Sequence, residues 1–184
     1  MTDLFGDDTL FLQREGSNYV IEGDSGLVAR LDERPLETKQ GFRHVLRSLA
    51  NRQATPHAVL RISDADGAHR FDLEAAPGDR TNAHLTVSRP GGDPVGSVVA
   101  SGGMFTVFPV FVLRDPTGAP LGRLTTRGAP CAYDVAEREM ARVTFGSTRP
   151  VMGKLVCEVE FVGPVPELSR VLVVAALIGW ERSR

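Results

Sequence analysis

Eight residues near the end of the chain constrain its fold more than any other feature: Val171-Leu172-Val173-Val174-Ala175-Ala176-Leu177-Ile178 is apolar without interruption. A helix there has no polar face to turn to water, so protein or lipid must surround it. Even extended to Trp180, the stretch falls well short of the roughly 20 residues that cross a bilayer as a helix. It reads as a buried helix from about Glu167 to Gly179, with Pro164 and Pro166 ahead of it where a boundary tolerates proline, and Glu167 favourably placed for the helix dipole. Valine disfavours helix by only about tenths of a kcal/mol, whereas burying a large aliphatic side chain is worth about 1.5 to 3 kcal/mol, so burial decides. The competing reading is an interfacial anchor, with Trp180 beside Arg182 and Arg184.

What could enclose such a helix is legible upstream. From Leu10 onward, short runs rich in valine, leucine and phenylalanine alternate with Asp/Gly/Pro turns, and 19 glycines with 12 prolines exclude a helix-dominated chain. Tyr19 to Glu22 and Leu27 to Leu31 flank Gly23-Asp24-Ser25-Gly26; Ala58 to Ile62 and Arg70 to Glu74 flank Asp64-Ala65-Asp66-Gly67. The form recurs in Ala83 to Val99 around Arg89-Pro90-Gly91-Gly92-Asp93-Pro94, and in Val107 to Leu124 around Asp115-Pro116-Thr117-Gly118. A fifth pair joins Cys131 to Val135 with Met140 to Phe145, and Leu155 to Val162 supplies a last strand. Consecutive hairpins with two-residue alternation predict a meandering antiparallel sheet, closed because a flat sheet of this length would expose its edges.

At 184 residues the chain suits one compact domain, 10–184, behind an acidic leader, 1–9, that lacks the basic and apolar parts of a secretory signal. Two cysteines, Cys131 and Cys157, form neither a disulfide framework nor a metal motif, and a cytoplasmic location is expected. Formal net charge is -2, without the positive excess of a dedicated nucleic-acid binder. One segment, Asp32 to His57, breaks the strand pattern. It sets Arg34, Lys39, Arg43, Arg47 and Arg52 against Asp32, Glu33 and Glu37. Phe42, Val45, Leu46 and Leu49 share a helical face, predicting a short helix from about Gly41 to Asn51. The insert either packs over a barrel end or contacts an anionic partner, and the two readings can coexist.

The repeated strand-Asp/Gly-strand units, the Leu85-to-Gly96 and Phe108-to-Gly122 hairpins and the terminal apolar segment resemble the phospholipid-scramblase-like and LURP-one-related members of the tubby C-terminal-like superfamily. The likeness covers roughly Leu10 to Trp180, is one of pattern more than of signature residues, and is poor across Asp32 to His57. It implies a closed twelve-stranded antiparallel β-barrel around a central hydrophobic C-terminal α-helix. It also implies a choice among functions, since the superfamily includes membrane-associated scramblases, phosphoinositide-binding domains and soluble proteins. The scramblase calcium region would fall near Glu158, Glu160 and Glu167, too few oxygens for the six to eight that calcium takes. Tubby-like lipid recognition would need converging basic residues, for which Lys39, Arg43, Arg47, Arg114, Arg123 and Arg127 are the candidate anionic-ligand patch.

No catalytic constellation is readable. His44, His57, His69 and His84 lack metal-ligand spacing, and both cysteines fit sheet positions as small hydrophobes. Asp64-Ala65-Asp66-Gly67 lacks the remaining ligands of a calcium loop, and Gly102-Gly103 is followed by no Lys-Ser/Thr pair of a phosphate loop. The expectation is therefore a non-catalytic binding or scaffold domain without metal or cofactor. Its ligand would be a protein or small molecule, or in the alternative an anionic membrane lipid, with a scramblase-like membrane-active protein as the rival.

Overall fold

The computed structural model describes residues 4–16, 18–34, 58–76, 84–101, 108–146 and 154–183. They form twelve strands and one helix. The strands are β1 (Thr9–Glu15), β2 (Asn18–Gly23), β3 (Gly26–Arg34), β4 (Ala58–Asp64), β5 (His69–Ala76) and β6 (His84–Ser88), then β7 (Pro94–Ser101), β8 (Val110–Arg114), β9 (Pro120–Thr125), β10 (Cys131–Asp134), β11 (Glu139–Phe145) and β12 (Lys154–Phe161). The helix, α1, spans Glu167–Ser183. Each strand pairs antiparallel with its neighbours in sequence, and β1 returns to pair with β12, closing the barrel.

The register carries apolar side chains around the inner wall. Leu12 lies opposite Ile21 and Cys157, Leu31 opposite Ile62, Leu73 opposite Leu60 and Val87, and Phe111 opposite Leu124. Every one of these is buried. The alternating positions, among them Arg30, Thr86, Arg123, Arg142 and Glu158, face outward. This is the reverse of the apolar-out pattern of a lipid-facing barrel.

Inside runs α1, with each residue from Val171 to Ile178 at most 3% exposed. The sheet supplies the surround that the sequence demands. The helix packs mainly on β6 to β9, and glycine makes that approach: a Cβ on Gly96 would lie 2.6 Å from the Arg114 carbonyl and 3.2 Å from Leu172, which presses on that wall. At its C-terminal end Trp180 meets Phe145 edge-on at 4.9 Å, and Glu181 accepts hydrogen bonds from Tyr19 and, at 2.8 Å, from Arg14. The helix continues to Ser183, past the expected end at Gly179, because those three contacts hold its last turn to β1, β2 and β11.

Up-and-down connectivity gives the barrel two unlike ends. One, the turn rim, collects the five short even-to-odd hairpin connections together with the entry into α1. At the other, the loop rim, β3, β5, β7 and β11 end, β4, β6, β8 and β12 begin, and α1 ends. At the turn rim one device recurs. The Asp64, Asp115 and Asp134 carboxylates each accept the backbone N–H groups two and four residues on, while the backbone closes around the same five residues. The fourth residue of each turn takes a positive φ, Gly67 at 83°, Gly118 at 87° and Glu137 at 61°.

Two boundary expectations change. The supposed leader is part of the fold from Leu4 onward: Leu4 and Phe5 are buried, the Asp8 carbonyl accepts from the Phe161 N–H at 2.7 Å, and β1 begins at Thr9. The expected insert starts later than Asp32, since β3 runs through Arg34 in register with Val59. The expected helix at Gly41 to Asn51 lies outside the described residues.

Candidate functional site

Of the six residues of the expected anionic-ligand patch, Lys39, Arg43 and Arg47 lie outside the described residues. The other three stand apart. Arg114 ends β8 at the turn rim, where its guanidinium donates to the Gly118 carbonyl at 2.9 Å, steadying its own hairpin. Arg123, on the outer face of β9, pairs with Glu137 at 2.5 Å and lies 5.7 Å over the Tyr133 ring. Arg127 is exposed on the β9–β10 connection at the loop rim. Arg114 is level with Pro120 on β9, seven residues from Arg127, so at about 3.3 Å per residue roughly 20 Å of wall separates them. No single phosphate reaches all three.

The remaining candidates settle into structural places. His69 begins β5 and its Nε2 lies 3.0 Å from Asp72, while His84 begins β6; His44 and His57 are outside the described residues, as are Gly102 and Gly103. Cys131 and Cys157 are buried. Burial, with a smaller contribution from the Glu181 charge, pushes the Cys157 thiol up to about 12, and burial also raises Cys131. Neither supplies a thiolate at neutral pH. Glu158 and Glu160 share the outer face of β12, and Asp64 and Asp66 sit in a turn; among the described residues no three histidine, cysteine, aspartate or glutamate side chains gather as metal ligands.

Two features of the turn rim escape the sequence reading. The first is Arg170, 6% exposed in the first turn of α1. Its Nε donates to the Val165 carbonyl at 3.1 Å, and one terminal nitrogen donates to the carbonyls of Phe5 and Asp7, both at 2.7 Å. The other approaches Asp8 at 3.5 Å, and the guanidinium lies 4.5 Å over the Phe161 ring. It ties the start of the chain to the start of the helix. An arginine at the edge of an unbroken apolar run is the sequence signal that could have found it.

The second is a cleft of about 410 Å³ between the β10–β11 hairpin and the β12–α1 connection. Leu121, Met140, Val162, Pro164, Val165 and Pro166 wall it, Asp134, Arg138 and Glu139 edge it, and Ser169 reaches it from α1. Its edge charges are matched: Asp134 holds Arg138 at 2.7 Å, and Glu139 holds Arg142. Hydrogen bonds, the backbone N–H of Arg138 foremost, keep the Asp134 carboxyl below its ordinary value of 3.8. No family profile, characterised protein or solved structure matches the chain.

Proposed function

We propose that the chain is a non-catalytic binding domain of tubby-like architecture that meets its ligand on the outside or at the rims of the barrel. One observation carries this reading: α1 runs inside the barrel from the turn rim to the loop rim, and Val171 to Ile178 form one buried core with the inner wall. A barrel that stores a ligand keeps its interior open. Here the interior is core, and any ligand is taken at the surface.

A second reading, peripheral contact with an anionic lipid surface, is favoured by where charge falls along the chain. The connection 35–57 leaves and re-enters the barrel at the loop rim, and it carries Lys39, Arg43, Arg47 and Arg52 against Glu37 alone. Arg127 falls in another connection of that rim, whereas Asp7, Asp8, Asp24, Asp64 and Asp66 belong to the opposite end. Among the described residues no helix is long and apolar enough to cross a membrane.

Vesicle flotation tests both readings. Flotation with phosphoinositide vesicles that fades at raised salt and in the Lys39→Glu/Arg43→Glu/Arg47→Glu variant supports the lipid surface, because exposed charge attraction is screened. No flotation with either neutral or phosphoinositide vesicles removes lipid and leaves protein or small-molecule ligands. Salt-insensitive flotation with neutral vesicles would mean that α1 leaves the barrel for the bilayer, and would overturn the enclosed binding domain in favour of a scramblase-like activity.

A further inference from the structure

The cleft at the turn rim has the dimensions and the chemistry of a small-ligand site. Its volume, about 410 Å³, lies within the roughly 300 to 1,000 Å³ of sites that take small molecules. Six apolar side chains supply the walls, and the first turn of α1 supplies the polar end. The Pro166 carbonyl accepts the first intrahelical bond, from the Arg170 N–H at 3.1 Å, which makes Pro166 the residue that should cap the helix. Proline has no side-chain acceptor to do so, and no side chain among the described residues caps the amides of Leu168 and Ser169. In the same first turn the Ser169 hydroxyl, on a residue only 6% exposed, lines the cleft and has no hydrogen-bond partner among the described residues. That hydroxyl is not sealed from solvent, so it can donate to a ligand acceptor brought into the cleft.

The charges around the mouth narrow the ligand class. Asp134 and Glu139 edge the cleft, and each already has an arginine partner. Arg138 is the one cation among the lining residues, and Asp134 engages it through both Nε and a terminal nitrogen. An anionic ligand would face two carboxylates with no free cation, whereas an uncharged oxygen accepts from Ser169 and the helix amides without that repulsion. We propose that this cleft binds a small ligand with an apolar body ending in an uncharged carbonyl, as in an amide or ester. The assignment rests on the binding-domain reading and names a ligand class for it.

Titration with hexanamide and with hexanoate, followed by backbone amide chemical shifts, tests the site. Saturable shifts centred on Leu168 and Ser169 are expected with hexanamide, with hexanoate several-fold weaker. Ser169→Ala should weaken hexanamide by about fivefold, the loss of one hydrogen bond. Val162→Trp, which fills the cleft from a side chain already 36% exposed, should abolish the shifts while the urea midpoint shows the barrel intact. Shifts that never saturate, or that persist unchanged in both variants, overturn the site. Tighter binding of hexanoate overturns the uncharged carbonyl. Because flotation reads the opposite rim, the lipid reading and the cleft stand or fall separately.

Discussion

Arg170 shows how one side chain can hold a fold together without a buried partner of opposite charge. Its nearest carboxylate, Asp8, is 3.5 Å away and largely exposed, so the Val165, Phe5 and Asp7 carbonyls do most of the compensation. Arg170→Met keeps the length and the apolar stem but leaves those carbonyls short of donors. Charge-assisted bonds of this kind contribute about 1.5 to 3 kcal/mol each, so the variant should lose at least about 3 kcal/mol, read as a lower urea midpoint with unchanged slope. A loss under about 1 kcal/mol would show that Leu4 and Phe5 seat without the clamp. The arginine itself was visible in the sequence as a charge beside an apolar run, but its partners were not, because a backbone carbonyl carries no residue identity. The two thiols give a second test at this scale. With Cys157 pushed up to about 12 and Cys131 also raised, neither should react with a thiol-specific disulfide reagent at neutral pH until the protein unfolds. Reaction of either in the folded protein at the unfolded rate would restore cysteine as a chemical candidate.

The hairpins were the most legible elements, because their turns are written in residues with a physical job. Aspartate supplies a side-chain acceptor for its own turn, and glycine takes the positive φ four residues into it. The β10–β11 turn departs from that pattern, placing Glu137 at a φ of 61° where its sister turns have Gly67 and Gly118. Glu137→Gly should stabilise the protein by up to about 1 kcal/mol, since the left-handed conformation costs a non-glycine residue about 1 to 2 kcal/mol and the exposed pair with Arg123 returns little. A destabilised variant would mean that this ion pair outweighs the backbone. The same turns set an acid limit. Thr117, chiefly, lowers the Asp115 carboxyl, and the Arg138 N–H lowers that of Asp134, both from an ordinary value of 3.8. A carboxyl depressed on folding contributes stability above its unfolded value and loses it as pH falls through the lower folded value. Stability should therefore drop below about pH 4, and less steeply in Asp115→Asn/Asp134→Asn, which keeps an acceptor oxygen but does not titrate. An equal slope in both proteins would exclude these carboxylates. Boundaries were less legible than turns: within the acidic leader Phe5 alone argued against full exposure, and both Leu4 and Phe5 are buried against the core.

Enclosure of α1 governs the whole molecule, and here sequence and structure agree for a reason that local propensity could not supply. A run of valines and leucines reads equally as strand or helix; only the number of strands upstream, enough to close, made the inside of a barrel available to it. The candidate site did not transfer in the same way. Residues close in sequence on an up-and-down barrel are spread along the length of its wall, so Arg114, Arg123 and Arg127 occupy different levels, while the cleft is made from β9, two hairpin strands and the helix entry, which sequence spacing does not bring together. The decisive question for function is whether α1 and the barrel are one cooperative unit. Trp180 is the single tryptophan, 8% exposed and stacked edge-on against Phe145 of β11, so its fluorescence reports the seating of the helix. Far-UV circular dichroism reports the strands together with the helix. If the lumen is held open only by α1, neither survives without the other, and urea transitions followed by the two signals should coincide. A chain ending at Pro166 should then show no cooperative unfolding, because its inner wall of Leu31, Ile62, Leu73, Val98 and Leu113 would face water. A tryptophan transition that precedes loss of the strands would instead mark the helix as a separable element, free to enter a bilayer while the barrel persists, and would move the protein from a surface-binding domain to a membrane-active one.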